Sequence, residues 1–378
     1  MENPPLELPF LKNVGLVVTY RCQVACPHCI IEAGPHRTEE MRLNDAFSWT
    51  RQIADYRGGH TQILSLTGGE PFYDLELLRE ISAFADARGL LVTVVTNGFW
   101  AESAGAALGV LRGVPAVRAM ALSTDEYHQI HIPLDRIKNA VFAARECGVP
   151  FNVNVCTPDP KAPAFLAIRD ELLGFVDADD LNTTVTFPVG RAGRELPDLS
   201  YETSADVPRS ACSVGGSPII FPNGDVIACI GPVITLRPPH PLWLGNVRER
   251  PLDEILDAAE ENAVLHAIRV WGPRRLVAEV QAAGLGGYLP EEYVSNSICH
   301  LCHYLMSHER IRAFLEELTA DADFVEDVAY ARIHYLDEYR MVELAGLGLV
   351  AGGGGGAGRS GRADVASFRA KRPGGRRY

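Results

Sequence analysis

The sequence predicts an α/β fold built on a parallel sheet, and three observations predict it. Residues 14 to 190 alternate short apolar runs with amphipathic stretches of helical length, the pattern of strands joined by crossover helices. The 378 residues are 47% apolar and 22% charged, enough to bury a large core and suited to one large domain plus a smaller one. The residue clusters able to do chemistry fall just after the apolar runs, on the loops that follow strand ends.

In chain order, strands are expected near 14–20, 62–66, 91–96, 117–122, 151–156 and 183–188. Helices are expected near 43–56, 74–88, 134–147 and 163–174, the third stopping at Gly148. The first strand runs directly into Cys22-Gln-Val-Ala-Cys26-Pro-His-Cys29. Three thiolates at this spacing hold three corners of a cubane iron-sulfur cluster and leave its fourth iron open to chemistry. Zinc is the alternative the residues leave, with His28 or His36 as a further ligand. The second strand ends in Gly68-Gly69-Glu70-Pro71, where glycine lets backbone approach a ligand closely, although the bare motif is only a turn.

The third strand ends at Thr96-Asn97-Gly98 and the fourth at Ser123-Thr-Asp125. Beyond it, Tyr127 and His128 are candidates to hydrogen-bond substrate or move protons, or else residues that cap a helix and face water. On the fifth strand Phe151, Val153 and Val155 share one face and Asn152, Asn154 and Cys156 the other. The apolar face packs on helices, so the polar face points inward, where its groups need a ligand or one another as partners. Phe187-Pro-Val-Gly-Arg191 follows the sixth strand.

From about residue 205 the alternation stops. Cys212, Gly224 and Cys229 precede a distant Cys299-His-Leu-Cys302, and a β-hairpin fits Pro218–Phe221 and Val226–Cys229 around Pro222-Asn-Gly-Asp. From spacing alone, these four cysteines suit either a fully ligated cluster or structural zinc. Residues 308 to 347 read as amphipathic helix, and the glycine- and arginine-rich residues 351 to 378 as a disordered tail.

These motifs, in this order, resemble those of the radical S-adenosylmethionine (SAM) enzymes. The resemblance implies a partial (β/α)6 TIM-like barrel, with a 4Fe-4S cluster on Cys22, Cys26 and Cys29 whose open iron is chelated by SAM. It implies that Gly68, Gly69, Glu70, Asn97, Ser123, Asp125, Asn154 and Arg191 form the SAM pocket. Two positions depart from the family: His28 stands where an aromatic residue is usual, and Gln23 where Asn is usual. The second cysteine set, Cys212, Cys229, Cys299 and Cys302, resembles the SPASM and twitch modules. With only four cysteines the shorter twitch form fits better, holding one auxiliary 4Fe-4S cluster for electron transfer. The domains expected are a radical SAM core over 1–195, a twitch-like hairpin-plus-helix module over 205–305, a helical segment over 306–350 and the tail.

The implied chemistry is reductive cleavage of SAM to a 5′-deoxyadenosyl radical, hydrogen abstraction, and oxidative modification of a peptide or specialised metabolite. Hydrogen return from Cys156 would instead give an epimerase; a non-enzymatic iron-sulfur or zinc protein is the reading from another class. An electron donor such as flavodoxin or ferredoxin is implied as partner. Only thirteen residues precede the first strand, leaving no room for a built-in leader-peptide domain. Residues 1 to 350 carry 28 basic and 47 acidic residues, a net of −19, which excludes sequence-independent binding to nucleic acid. No run reaches the ~18 apolar residues that span a bilayer. There is no signal-peptide pattern, and seven of nine cysteines fall in metal-type sets; a cytoplasmic location is expected.

Overall fold

A computed structural model of the chain describes residues 10–56, 61–295 and 297–338. Six parallel strands, β1 (Asn13–Thr19), β2 (Ile63–Gly68), β3 (Leu91–Thr96), β4 (Val117–Ser123), β5 (Phe151–Thr157) and β6 (Leu181–Val185), lie side by side in chain order. β1 does not pair with β6, so the barrel stays open between them. Every residue of β1 after Asn13 is buried, as a strand covered on both faces requires.

The helices Leu43–Asp55, Leu75–Asp86, Leu134–Cys147 and Pro163–Leu172 stand within two residues of their expected ends. Gly148 stops the third of these with φ 65°, a conformation that costs glycine little. A fifth crossover helix, Ala104–Arg112, is not legible in the sequence: it contains Gly105 and Gly109 and buries only Ala107 and Leu111. Ser103 starts it by accepting the Ala106 N–H.

β7 (Thr203–Ser204) pairs with β11 (Tyr293–Val294), while β8 (Ile219–Ile220) and β9 (Asp225–Ile227) form the expected hairpin, joined by β10 (Trp243–Asn246). Gly224 turns it with φ 96°, where a Cβ would come within 2.5 Å of Asn246 Oδ1. β8 also pairs in parallel with β1, through Gly15 and Leu16, so one nine-stranded sheet runs from the hairpin to β6 across the expected domain boundary. Where described, the expected helix over 308 to 347 is two, Glu309–Leu318 and Ala322–Leu336, the second capped by Asp321; residues 339 to 347 lie outside the described residues. The tail over 351 to 378 lies outside the described residues.

Candidate active site

The loop after β1 carries Cys22, Cys26 and Cys29, and it is held in shape from three sides. Gly69 N–H donates to Thr19 O at 2.7 Å and Glu70 N–H to Arg21 O at 2.9 Å, stapling the turn after β2 to the loop. A Cβ on Gly69 would stand 2.1 Å from Arg21 O, so this glycine is needed for close approach to the chain's own backbone. Arg191 reaches in from beyond β6, donating to Cys26 O at 2.7 Å and Ala33 O at 2.6 Å. Gly190, at φ 60°, lets that segment pass within contact of Ile30 O.

One cavity opens over this loop. Its wall includes Cys22, Cys26, Cys29, Gly68, Gly69, Asn97, Ser123 and His128, all singled out in the sequence. His28, Val24, Thr67 and Val95 complete much of the rest. The donor set suits a thiolate-held metal cluster. Asn97 Nδ2 donates to Cys22 Sγ at 3.4 Å, and Ala33 N–H to Cys29 Sγ at 3.3 Å, both favouring the charged sulfur. Burial pushes the Cys22 thiol up to about 12 and raises that of Cys26 as well, so without a cation to neutralise they stay protonated.

Several expected cofactor contacts stand one layer behind the wall. Glu70 is fully buried, its carboxylate accepting from Phe72 N–H at 3.0 Å, Thr96 Oγ1 at 2.7 Å and Asn97 N–H at 2.8 Å. It does not line the cavity; it fixes the Asn97 turn, which does. Burial pushes its carboxyl up to about 7 against the pull of those hydrogen bonds. Arg191 likewise braces the loop from behind. Asp125 caps the short helix Glu126–Gln129 through Tyr127 and His128 N–H, and its Oδ2 lies 2.9 Å from His128 Nδ1 and 3.5 Å from His28 Nε2. Burial would raise its carboxyl, but His128 and these hydrogen bonds outweigh that and leave it at about 2. Tyr127 is buried and stacks on His28, with ring centroids 4.8 Å apart. His28 thus takes the place of the expected aromatic ring with a neutral imidazole, which burial lowers to about 4. The sequence offered His28 as a departure from the family pattern and as a possible zinc ligand; its partnership with Tyr127 and Asp125 is long-range and not legible there.

Asn154 and Cys156 lie further along the inward face of β5, beyond the cavity lining. Cys156 Sγ is 3.0 Å from Thr184 Oγ1 on β6. Burial pushes its thiol up to about 12, so it keeps its S–H at neutral pH.

A second cavity is lined by Cys212, Cys229, Cys299 and Cys302 together with apolar side chains such as Val233, Leu242 and Ile268. Cys299 and Cys302 share a face of the helix Ile298–Ser307, and Gly215 N–H donates to Cys212 Sγ at 3.2 Å. All four are free of disulfides. Beside the second cavity, His300, next to Cys299, packs against Tyr201 and Phe187 at 4.8 and 5.1 Å, and the Tyr201 hydroxyl donates to Thr186 O at 2.8 Å.

Residues 16–160, which hold the three-cysteine loop and the turns after β2, β3 and β4, match the radical SAM superfamily, a class whose members bind a 4Fe-4S cluster and SAM. The chain is similar to YydG of Bacillus subtilis (strain 168), named for peptide biosynthesis, at 22% identity over 313 residues, 80% of this chain and 95% of that one. Among solved structures it is similar to BtrN in complex with AdoMet and 2-DOIA, at 12% identity and TM-score 0.40, covering 71% of this chain and 89% of that one. Methylornithine synthase (PylB) matches at 15% identity and TM-score 0.36, over 50% and 59%. Among the described residues no helix is long and apolar enough to cross a membrane.

Proposed function

We propose that the chain is a radical SAM maturase acting on a ribosomally made peptide, with Cys22, Cys26 and Cys29 as the cluster ligands. The observation that carries this is the convergence of those cysteines with Gly68, Gly69, Asn97 and Ser123 on one cavity at the strand ends. When bound, the reduced cluster and SAM together supply a carbon-centred radical that abstracts hydrogen from an unactivated carbon. The chain's own part is to hold and shield that chemistry. Asn97 and Ala33 N–H stabilise the sulfurs, Arg191 fixes the loop, and His28 on Tyr127 offers a flat, uncharged surface for a heteroaromatic ring. The relation to YydG supports a peptide as substrate.

Cys212, Cys229, Cys299 and Cys302 would hold a second 4Fe-4S cluster, and their shared apolar cavity supports this. A fully ligated cluster there would accept one electron from the substrate radical, which, with loss of a proton or formation of a new bond, would give an oxidised or cross-linked product. Epimerisation is favoured by a separate observation: Cys156 sits on the inward face with its thiol protonated, as a hydrogen donor must. The test is product analysis in D2O. One deuterium incorporated per turnover, lost in Cys156→Ala, supports epimerisation; loss of hydrogen from the product without incorporation supports oxidation and rules the epimerase out.

A further inference from the structure

Among the described residues, the open side of the barrel ends in a strand edge with no further strand paired to it. β6 terminates the nine-stranded sheet, and Asn182, Thr183 and Thr184 at its centre are all exposed. Such edges are normally blunted by proline, lysine or a bulge. Leu181–Val185 contains none of these, and it pairs with β5 without a register shift. The direction of its free groups follows from the ladder. Thr186 N–H donates to Thr157 O, so by the alternation of parallel pairing the amide groups of Thr184 face β5 and those of Thr183 and Val185 face outward.

That edge borders the reactive side of the sheet. Asn182 and Thr184 stand opposite Asn154 and Cys156, and the Cys156 N–H lies 3.4 Å from Asp125 Oδ2, which in turn contacts His128 in the cavity wall. A strand added here would lie about 4.8 Å outside β6. At the start of β6 stand Asp177, Asp179 and Asp180, and no ion pair among the described residues engages them.

We propose that β6 is the docking edge for the substrate peptide, which adds to the sheet as an extended strand and is recognised at one end by a cationic residue opposite Asp177 and Asp179. The inference rests on the peptide reading above and specifies where and how the peptide binds. Main-chain hydrogen bonds supply affinity in this mode, and alternate side chains lie beside Thr184, on the face it shares with Cys156, or beside Thr183 on the opposite face.

The test uses a dye-labelled synthetic peptide of alternating valine and threonine with a lysine at each end, titrated into the full chain and followed by fluorescence anisotropy. Thr183→Pro removes the outward-facing N–H while leaving every β5 bond in place, a substitution an edge strand tolerates. It should weaken binding by roughly tenfold or more, the worth of one or two interstrand hydrogen bonds. Thr183→Val keeps the backbone donor and should bind as the unsubstituted protein does. Asp177→Asn with Asp179→Asn should weaken binding and flatten its dependence on salt. Thermal unfolding of the proline variant is compared with that of the valine variant, so that a loss of fold is recognised as such. Equal binding by a folded Thr183→Pro variant would overturn the proposal, as would failure of the unsubstituted chain to bind this peptide. Formation of 5′-deoxyadenosine without peptide is measured in parallel. Its absence from the unsubstituted chain would overturn the enzyme reading instead, and its persistence in Thr183→Pro separates the two.

Discussion

Glu70 illustrates how a motif residue can act through its neighbours. Three donors converge on a carboxylate that has no exposure to solvent, and burial still holds its pKa near 7. A carboxyl raised in the folded state from its ordinary value of 4.5 favours the fold below that value and progressively less as pH rises through about 7. Stability should therefore fall across this window, and Glu70→Gln should flatten that part of the profile in thermal unfolding measured from pH 4.5 to 7.5. The same variant should weaken SAM binding, because a single amide oxygen cannot accept from Phe72, Thr96 and Asn97 together. Isothermal titration of the reconstituted protein reads that loss. Unchanged SAM affinity would show that Asn97 holds its place without the carboxylate. The sequence announced Glu70 as a pocket residue, yet its partners at Thr96 and Asn97 are brought up by the sheet and could not be read from a motif.

At the scale of elements, the cysteine loop is positioned by two turns that have no metal ligand of their own. Gly69→Ala would drive a methyl into Arg21 O at 2.1 Å, and backbone there cannot rotate away. It should lower iron incorporation and destabilise the fold by a few kcal/mol, read by iron content and denaturant midpoint. Arg191→Lys keeps the charge but not a planar fork reaching both Cys26 O and Ala33 O; it should slow cluster assembly with little loss of fold, and Arg191→Ala should do both. The strands and most helices were legible because apolar runs and periodicity are local properties. The helix Ala104–Arg112 was not, because its two glycines and thin buried face hide it. Neither was the pairing of β8 with β1, since contacts over 200 residues apart leave no periodic trace. The inward row of β5 was readable by the period-two rule, whereas Thr184 opposite Cys156 required the register of β6.

At the scale of the molecule, two cysteine-lined cavities stand on one continuous sheet and its flanking helices, and His300, next to Cys299, packs on Tyr201, which in turn bonds Thr186 just past β6. If each holds a cluster, their losses are separable. Cys302→Ala should retain SAM cleavage and lose product, whereas Cys29→Ala should abolish cleavage and leave the second cluster in place; 5′-deoxyadenosine and product are quantified side by side. Both cavities place thiols whose burial disfavours bare thiolate, Cys22 and Cys229 each at about 12, so metal binding there would be linked to deprotonation of the thiols. The most direct test of this account is iron and acid-labile sulfide per chain after anaerobic reconstitution. Two four-iron clusters predict about eight of each, falling by half in Cys29→Ala and in Cys302→Ala alike. About four iron in the unsubstituted chain, or zinc in the second cavity, would contradict the two-cluster account.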